Sequence, residues 1–154
     1  MSIKTKALSE KLGHVVRTKP VCVQEDLPVG KALELMRQKG VHCLMVCKGS
    51  KLTGIFTDRD HLLKVLGQAK GDEPMSRFMT PSPVIGSVEQ TVGETVETMS
   101  AKGLRNLPLV DEAGAPTSLV TVDTLIRYLA DHFPAEVVNR SPAPHLVSDE
   151  ADGA

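Results

Sequence analysis

The sequence predicts a mixed α/β (α+β) fold built from two tandem β-α-β-β-α repeats, and three observations predict it. One pattern occurs twice: Val29-Gly30-Lys31-Ala32-Leu33-Glu34-Leu35-Met36 and Val92-Gly93-Glu94-Thr95-Val96-Glu97-Thr98-Met99 share Val, Gly, Glu and Met at an offset of 63. Within each copy the apolar periodicity alternates between helical stripes and short continuous runs that read as strands. Between the copies lies a stretch rich in Gly, Asp, Ser and Pro. Self-similarity at a fixed spacing is the mark of a duplicated unit packed against its copy.

The elements follow in order. Residues 1–17 read as an N-terminal helix or extension; Ser2 to Val16 is weakly helical and suited to cover the sheet of the second unit. The first repeat, 18–67, opens with an extended Val21-Cys22-Val23. A helix follows, with Asp26 as a capping residue, Pro28 in its first turn and a stripe of Val29, Ala32, Leu33 and Met36. Gly40 ends it. Strands Val41 to Cys47 and Leu52 to Phe56 flank a turn at Lys48 to Lys51. A last helix carries Leu62, Leu63, Val65 and Leu66. Residues 68–78 form a linker.

The second repeat, 79–134, runs in parallel. It has an extended Val84-Ile85, a helix ended by Gly103, and strands Leu104 to Val110 and Thr117 to Val120. Its last helix carries Leu125, Ile126 and Leu129. One extra residue near Ala113-Gly114 moves the offset to 64, so Thr121 meets Thr57 and Ile126 meets Leu62. Residues 135–154 mix Pro, Ser, Asp, Glu and Ala and are predicted to be a disordered tail.

Composition narrows the function. The 154 residues are 41% hydrophobic, enough for a core, but contain no Trp, one Tyr and three Phe. The core is therefore aliphatic, and single-stranded nucleic-acid binding lacks its usual stacking rings. A net charge of −1 offers no field to draw the chain to nucleic acid or an anionic membrane. No apolar run approaches the roughly 20 residues of a membrane span, and no secretory leader is seen, so the cytoplasm is the expected location. Cys22, Cys43 and Cys47 do not read as a disulfide framework. Cys43 and Cys47 read as small buried hydrophobes on one strand face, and no metal site is expected from them or from the scattered histidines.

Four features give the chain a family resemblance. They are Gly54-Ile55-Phe56-Thr57-Asp58-Arg59-Asp60, Met79-Thr80-Pro81-Ser82-Pro83-Val84, Gly103-Leu104-Arg105-Asn106-Leu107-Pro108-Leu109-Val110, and the twofold repeat. With these, residues 17–133 resemble the tandem cystathionine-beta-synthase-type (CBS) domain pair, or Bateman module, here expected to stand alone. The resemblance implies pseudo-twofold symmetry, homodimerisation and regulation of a partner protein by change of shape. It also implies an adenosine ligand (AMP, ADP, ATP or S-adenosylmethionine) between the repeats. No further cofactor and no catalysis are implied.

Physical chemistry supports a site at Thr57 to Asp60. A strand there hands over to a helix whose first amides lack intrahelical partners. Asp60 can accept hydrogen bonds from both hydroxyls of a ribose, as acidic residues do in dinucleotide folds. Thr57 offers a hydroxyl, and Gly54 leaves room beside the backbone. The resemblance implies that Asp60 and Thr57 hold ribose and phosphate, that Ile55, Pro83 and Val84 flank the adenine, and that His42 and Arg105 face the phosphates. Arg59 and Lys102 are further cations there.

The same residues also read as a capped helix, with Thr57 or Asp58 as N-cap and Asp60 as a first-turn acid. The sugar reading needs an available acceptor; a cation locking Asp60 would leave only a fold. In the second copy Thr121 stands at the threonine position but Thr124 at the aspartate. Asp123 falls one residue early, turned by about 100° on a helix. One competent and one degenerate site are expected. The leading reading is a nucleotide sensor; the alternative is a ligand-free dimerisation or scaffold module. Asp58, Asp60 and His61 could suggest acid–base chemistry, but no nucleophile–base pair accompanies them.

Overall fold

The computed structural model describes residues 2–132. Expectations for residues 133–154, the end of the second repeat and the tail, lie outside the described residues. The elements are α1 (Ile3–Ser9), α2 (Leu12–Val15), β1 (Cys22–Gln24), α3 (Val29–Lys39), β2 (Cys43–Lys48), β3 (Lys51–Thr57) and α4 (Asp58–Asp60). A π-helical turn (His61–Val65), a 3-10 turn (Met75–Arg77) and β4 (Thr80–Pro81) follow, then α5 (Val92–Lys102), β5 (Asn106–Val110), β6 (Pro116–Thr121) and α6 (Val122–His132).

The first unit holds a four-stranded sheet in the order β1-β2-β3-β4. β1 runs parallel to β2, and the other pairs are antiparallel. β2 is flanked on both sides, and its residues Cys43 to Cys47 are all buried. This is why its sequence is a continuous apolar run rather than an alternating one. β4 comes from the linker motif, pairing Pro81 with Gly54 and Thr80 with Ile55.

Among the described residues, the second unit has the β5-β6 hairpin and an isolated parallel bridge from Gly86 to Leu109. The extended segment expected at Val84-Ile85 is thus reduced to the backbone bonds of Gly86. A proline explains the difference. In the first unit Met45 N donates to Val21 O at 2.9 Å. The equivalent of Met45 at the offset of 63 is Pro108, which has no N–H to give Val84.

Each unit has its own aliphatic core, and the cores match position by position. Val29, Met36, Leu44, Val46 and Phe56 are buried in the first. Val92, Met99, Leu107, Leu109 and Val120 are their counterparts in the second. Gly40 and Gly103 end their helices in the left-handed region, at φ 62° and 63°, where glycine carries no Cβ penalty.

The ends of the units exchange cover. Leu12 and Val16 from the N-terminus are buried in the second core, and Tyr128 Oη donates to Ala7 O at 3.0 Å. Met75 and Phe78 from the linker are buried in the first core. The first helix is also closed by the linker. Val29 N donates to Glu73 O and Gly30 N to Gly71 O, at 2.8 and 2.9 Å. Asp26 therefore does not cap α3, whose N-cap is Pro28 without a side-chain bond. The second helix is capped as a box, Thr91 with Glu94.

The last helix of the first unit also differs from expectation. α4 is three residues long and passes into the π turn, and of its four apolar residues only Val65 is buried. Leu62, Leu63 and Leu66 are 59–62% exposed. No described helix is long and apolar enough to cross a membrane.

Candidate functional site

The site is built where β3 ends. Thr57 leaves the strand extended, at φ −122° and ψ 171°, and becomes the N-cap of α4. Its hydroxyl accepts from Asp60 N at 3.5 Å, while Asp60 Oδ2 accepts from Thr57 N at 2.9 Å and from Thr57 Oγ1 at 3.2 Å. The capped-helix reading of Thr57 and Asp60 is therefore realised. Asp60 is buried, at 6% exposure, one of two buried polar or charged residues among those described.

Its other oxygen is also engaged. Asp60 Oδ1 accepts from Thr80 Oγ1 at 3.0 Å and lies 2.8 Å from Lys64 Nζ. A carboxylate offers about four acceptor positions; here three take hydrogen bonds, and the Lys64 ammonium lies against Oδ1 as an ion pair. The available acceptor expected for a sugar is not present: Lys64, itself 40% exposed, sits on Asp60, the arrangement for which only a fold was expected. Sequence reasoning missed both Lys64 and Thr80. The i, i+4 spacing of Asp60 and Lys64 was the signal for the first. Thr80 is a tertiary neighbour, brought in by β4.

The room beside Gly54 is likewise taken. A Cβ there would meet Met79 Sδ at 2.5 Å and Thr80 O at 3.0 Å, so the glycine admits the linker rather than opening to a cleft. Ile55 is half-buried and pairs with Thr80. Pro83 is half-buried, and Val84 packs against the second core. Thr80, rather than either, reaches Asp60.

The two basic residues occupy equivalent places. Asp58 N donates to His42 O at 3.2 Å and Val122 N to Arg105 O at 3.1 Å, so each backbone abuts the start of a helix. His42 Nδ1 lies 2.7 Å from Asp58 Oδ2 with both side chains exposed. Arg105 is exposed. In the second unit Thr124 stands in the place of Asp60: its N–H donates to Thr121 Oγ1 at 3.1 Å, and the two hydroxyls lie 3.0 Å apart. Asp123 is exposed beside them.

Electrostatics register the buried charge. Burial, reinforced by the carboxylates of Asp60 and Asp58, pushes the Cys43 thiol up to about 12. Burial likewise raises Cys47 to about 11, with Cys22 adding to it. An open depression of about 600 Å³ lies elsewhere, at the hairpin end of the second unit, between Ile85 to Gln90 and Val110, Asp111, Glu112 and Thr117.

The CBS domain family model matches residues 12–60 and 75–131. The CBS domain-containing protein CBSCBSPB3 of Arabidopsis thaliana is 31% identical over 107 residues, covering 68% of this chain. A protein of Methanopyrus kandleri, MK0525, is 34% identical over 106 residues, covering 65%. The chain spans 19% and 54% of those two relatives. Among solved structures, CBSX2 in complex with AMP superposes with a TM-score of 0.68 at 24% identity, over 79% of this chain and 97% of that one. The CBS domain pair of MJ0100, in complex with 5′-methylthioadenosine and S-adenosyl-L-methionine, gives 0.69 at 19%, over 79% and 96%. At these identities the likeness to the structures is one of fold.

Proposed function

The chain belongs to the CBS-domain family, and from that premise we propose that it is a regulatory module that senses an adenine nucleotide between its units and signals by changing shape. AMP, ADP, ATP and S-adenosylmethionine are the ligand class; the solved relatives that hold AMP, or S-adenosylmethionine with 5′-methylthioadenosine, support an adenosine moiety. The module acts in the cytoplasm, needs no cofactor and catalyses nothing.

One observation carries the reading. The second unit closes the same turn with Thr121 and Thr124 alone, so the cap does not require a charge. The first unit nevertheless buries a carboxylate there, which is costly unless partnered. Its partners at Oδ1 are a hydroxyl and an ammonium, the kinds of donor that ribose hydroxyls can replace. Thr57 and Asp60 hold the sugar side, Ile55, Pro83 and Val84 the base side, and His42 and Arg105 the phosphate side. Leu62, Leu63 and Leu66, and Ile126 in the second unit, are exposed apolar side chains suited to contact with a second copy of the chain.

A ligand-free scaffold is the second reading, favoured by the engaged oxygens of Asp60. Calorimetric titration with the four ligands separates the two. The sensor binds at least one, and Asp60→Ala abolishes the heat. A scaffold gives no heat and no rise in melting temperature, whereas a ligand at 100 times its Kd stabilises by about 2.7 kcal/mol.

A further inference from the structure

Lys64 joins three groups on two segments. Its Nζ lies 2.8 Å from Asp60 Oδ1, donates to Phe78 O at 3.2 Å and reaches Thr80 Oγ1 at 3.5 Å. Thr80 itself donates to the same carboxylate oxygen. One ammonium and one hydroxyl thus tie the turn after β3 to the stretch that leads from the first unit into the second. Elsewhere that stretch is held by Phe78 in the first core with Met79 packed beside it, by two residue pairs with β3, and by a bond from Ser82 N to Thr53 O at 3.0 Å.

The two carboxylate oxygens are not equally open to exchange. The donors on Oδ2 are the backbone and hydroxyl of Thr57, part of the cap itself. They cannot leave without unwinding the turn. The donors on Oδ1 are two side chains outside the cap, Thr80 exposed and Lys64 40% exposed, and both have water to turn into. A vicinal diol that binds Asp60 therefore enters at Oδ1.

Ser82, one residue past β4, holds φ at 48°, the left-handed region that a non-glycine residue adopts at a cost. The second unit lacks this arrangement. Thr124 replaces the carboxylate, and Tyr128, the counterpart of Lys64, donates to Ala7 O instead. The cation therefore accompanies the carboxylate.

Resting on the sensor reading above, we propose that Lys64 and Thr80 form a latch: they close the sugar face of Asp60 in the empty protein, and a bound nucleoside displaces them and frees β4. The device converts occupancy into a change in the connection between the units. It also costs affinity, because the ligand binds only the unlatched fraction.

The test uses the full chain, with AMP and, separately, S-adenosylmethionine as probes. Lys64→Met removes the ammonium at similar length and binds about tenfold more tightly, which corresponds to a latch closed about nine-tenths of the time. Thr80→Val, which leaves the ion pair in place, tightens binding less. Hydrogen exchange gives an independent reading. Saturating probe speeds exchange at Met79, Thr80 and Ser82 in the wild type, whereas in Lys64→Met these amides are already fast. Equal or weaker binding by Lys64→Met, or unchanged exchange in the wild type, overturns the latch. If both probes bind and Asp60→Ala abolishes binding, that failure leaves the sensor reading standing. Absence of binding by the wild type and both variants sinks the two together.

Discussion

Gly54→Ala probes how tightly the linker is seated against the site. The backbone at Gly54 is not in the left-handed region, so alanine meets no conformational penalty. In open space this change would stabilise by about 0.4–1 kcal/mol through the unfolded chain. Here the new methyl stands 2.5 Å from Met79 Sδ, 3.0 Å from Met79 Cγ and 3.0 Å from Thr80 O. The thioether can swing away. The carbonyl cannot, because Thr80 is paired with Ile55 and Pro81 with Gly54. Relief requires β4 to lift, and overpacking of this kind costs about 1–3 kcal/mol. For a chain of this size that lowers the melting midpoint by roughly 3–12 °C. Calorimetric melting of the wild type, Gly54→Ala, Met79→Ala and the double variant reads the effect. The clash with the carbonyl persists in the double variant, so Met79→Ala does not rescue it. An unchanged or raised midpoint for Gly54→Ala would refute the close seating of β4.

Three further predictions follow the same geometry. Phe56 is fully buried, so Phe56→Ala costs about 3–5 kcal/mol, read as a lower urea midpoint. Cys43 and Cys47 are raised to about 12 and 11, so in the folded state they keep their protons where the unfolded chain loses them. Their contribution to stability is complete below about pH 8.5, the ordinary cysteine value, and falls above it by up to about 1.4 kcal/mol per pH unit for each thiol. Denaturant midpoints therefore drop between pH 9 and 11, and Cys43→Ala flattens that drop; an equal slope in the variant contradicts the burial argument. Leu63 and Leu66 are about 60% exposed, so replacing both with Glu leaves the unfolding free energy of dilute protein within about 0.5 kcal/mol of the original. Sedimentation then reports a shift from dimer to monomer if these side chains join two copies.

Much of the fold was legible because the repeat could be read against itself. The stripe at Val29, Ala32 and Met36, the stops at Gly40 and Gly103 and the apolar runs of β2 and β5 are local signals, and they sit where the sequence puts them. The equivalence of Thr121 and Thr124 to Thr57 and Asp60 was legible for the same reason. What escaped was tertiary. Carbonyls of the linker close α3, so Asp26 was not needed. Pro108 cannot donate to a neighbouring strand, so the opening strand of the second unit shrank to Gly86. The π turn leaves three leucines exposed, which a helical stripe does not foretell. At the site, the sequence pointed to Asp60 but not to what occupies it. A short-range spacing could have suggested Lys64, whereas Thr80 arrives only when β4 folds back on β3.

The role of Asp60 is tested most directly by removing one ligand hydroxyl at a time. AMP and its 2′- and 3′-deoxy forms are compared on the wild type and on Asp60→Ala. A hydrogen bond to a charged acceptor contributes about 1.5–3 kcal/mol, so each deoxy form binds the wild type roughly 10–100-fold more weakly. On Asp60→Ala none of the three gives a binding heat. Equal binding of all three by the wild type would contradict the assignment of the sugar to this carboxylate.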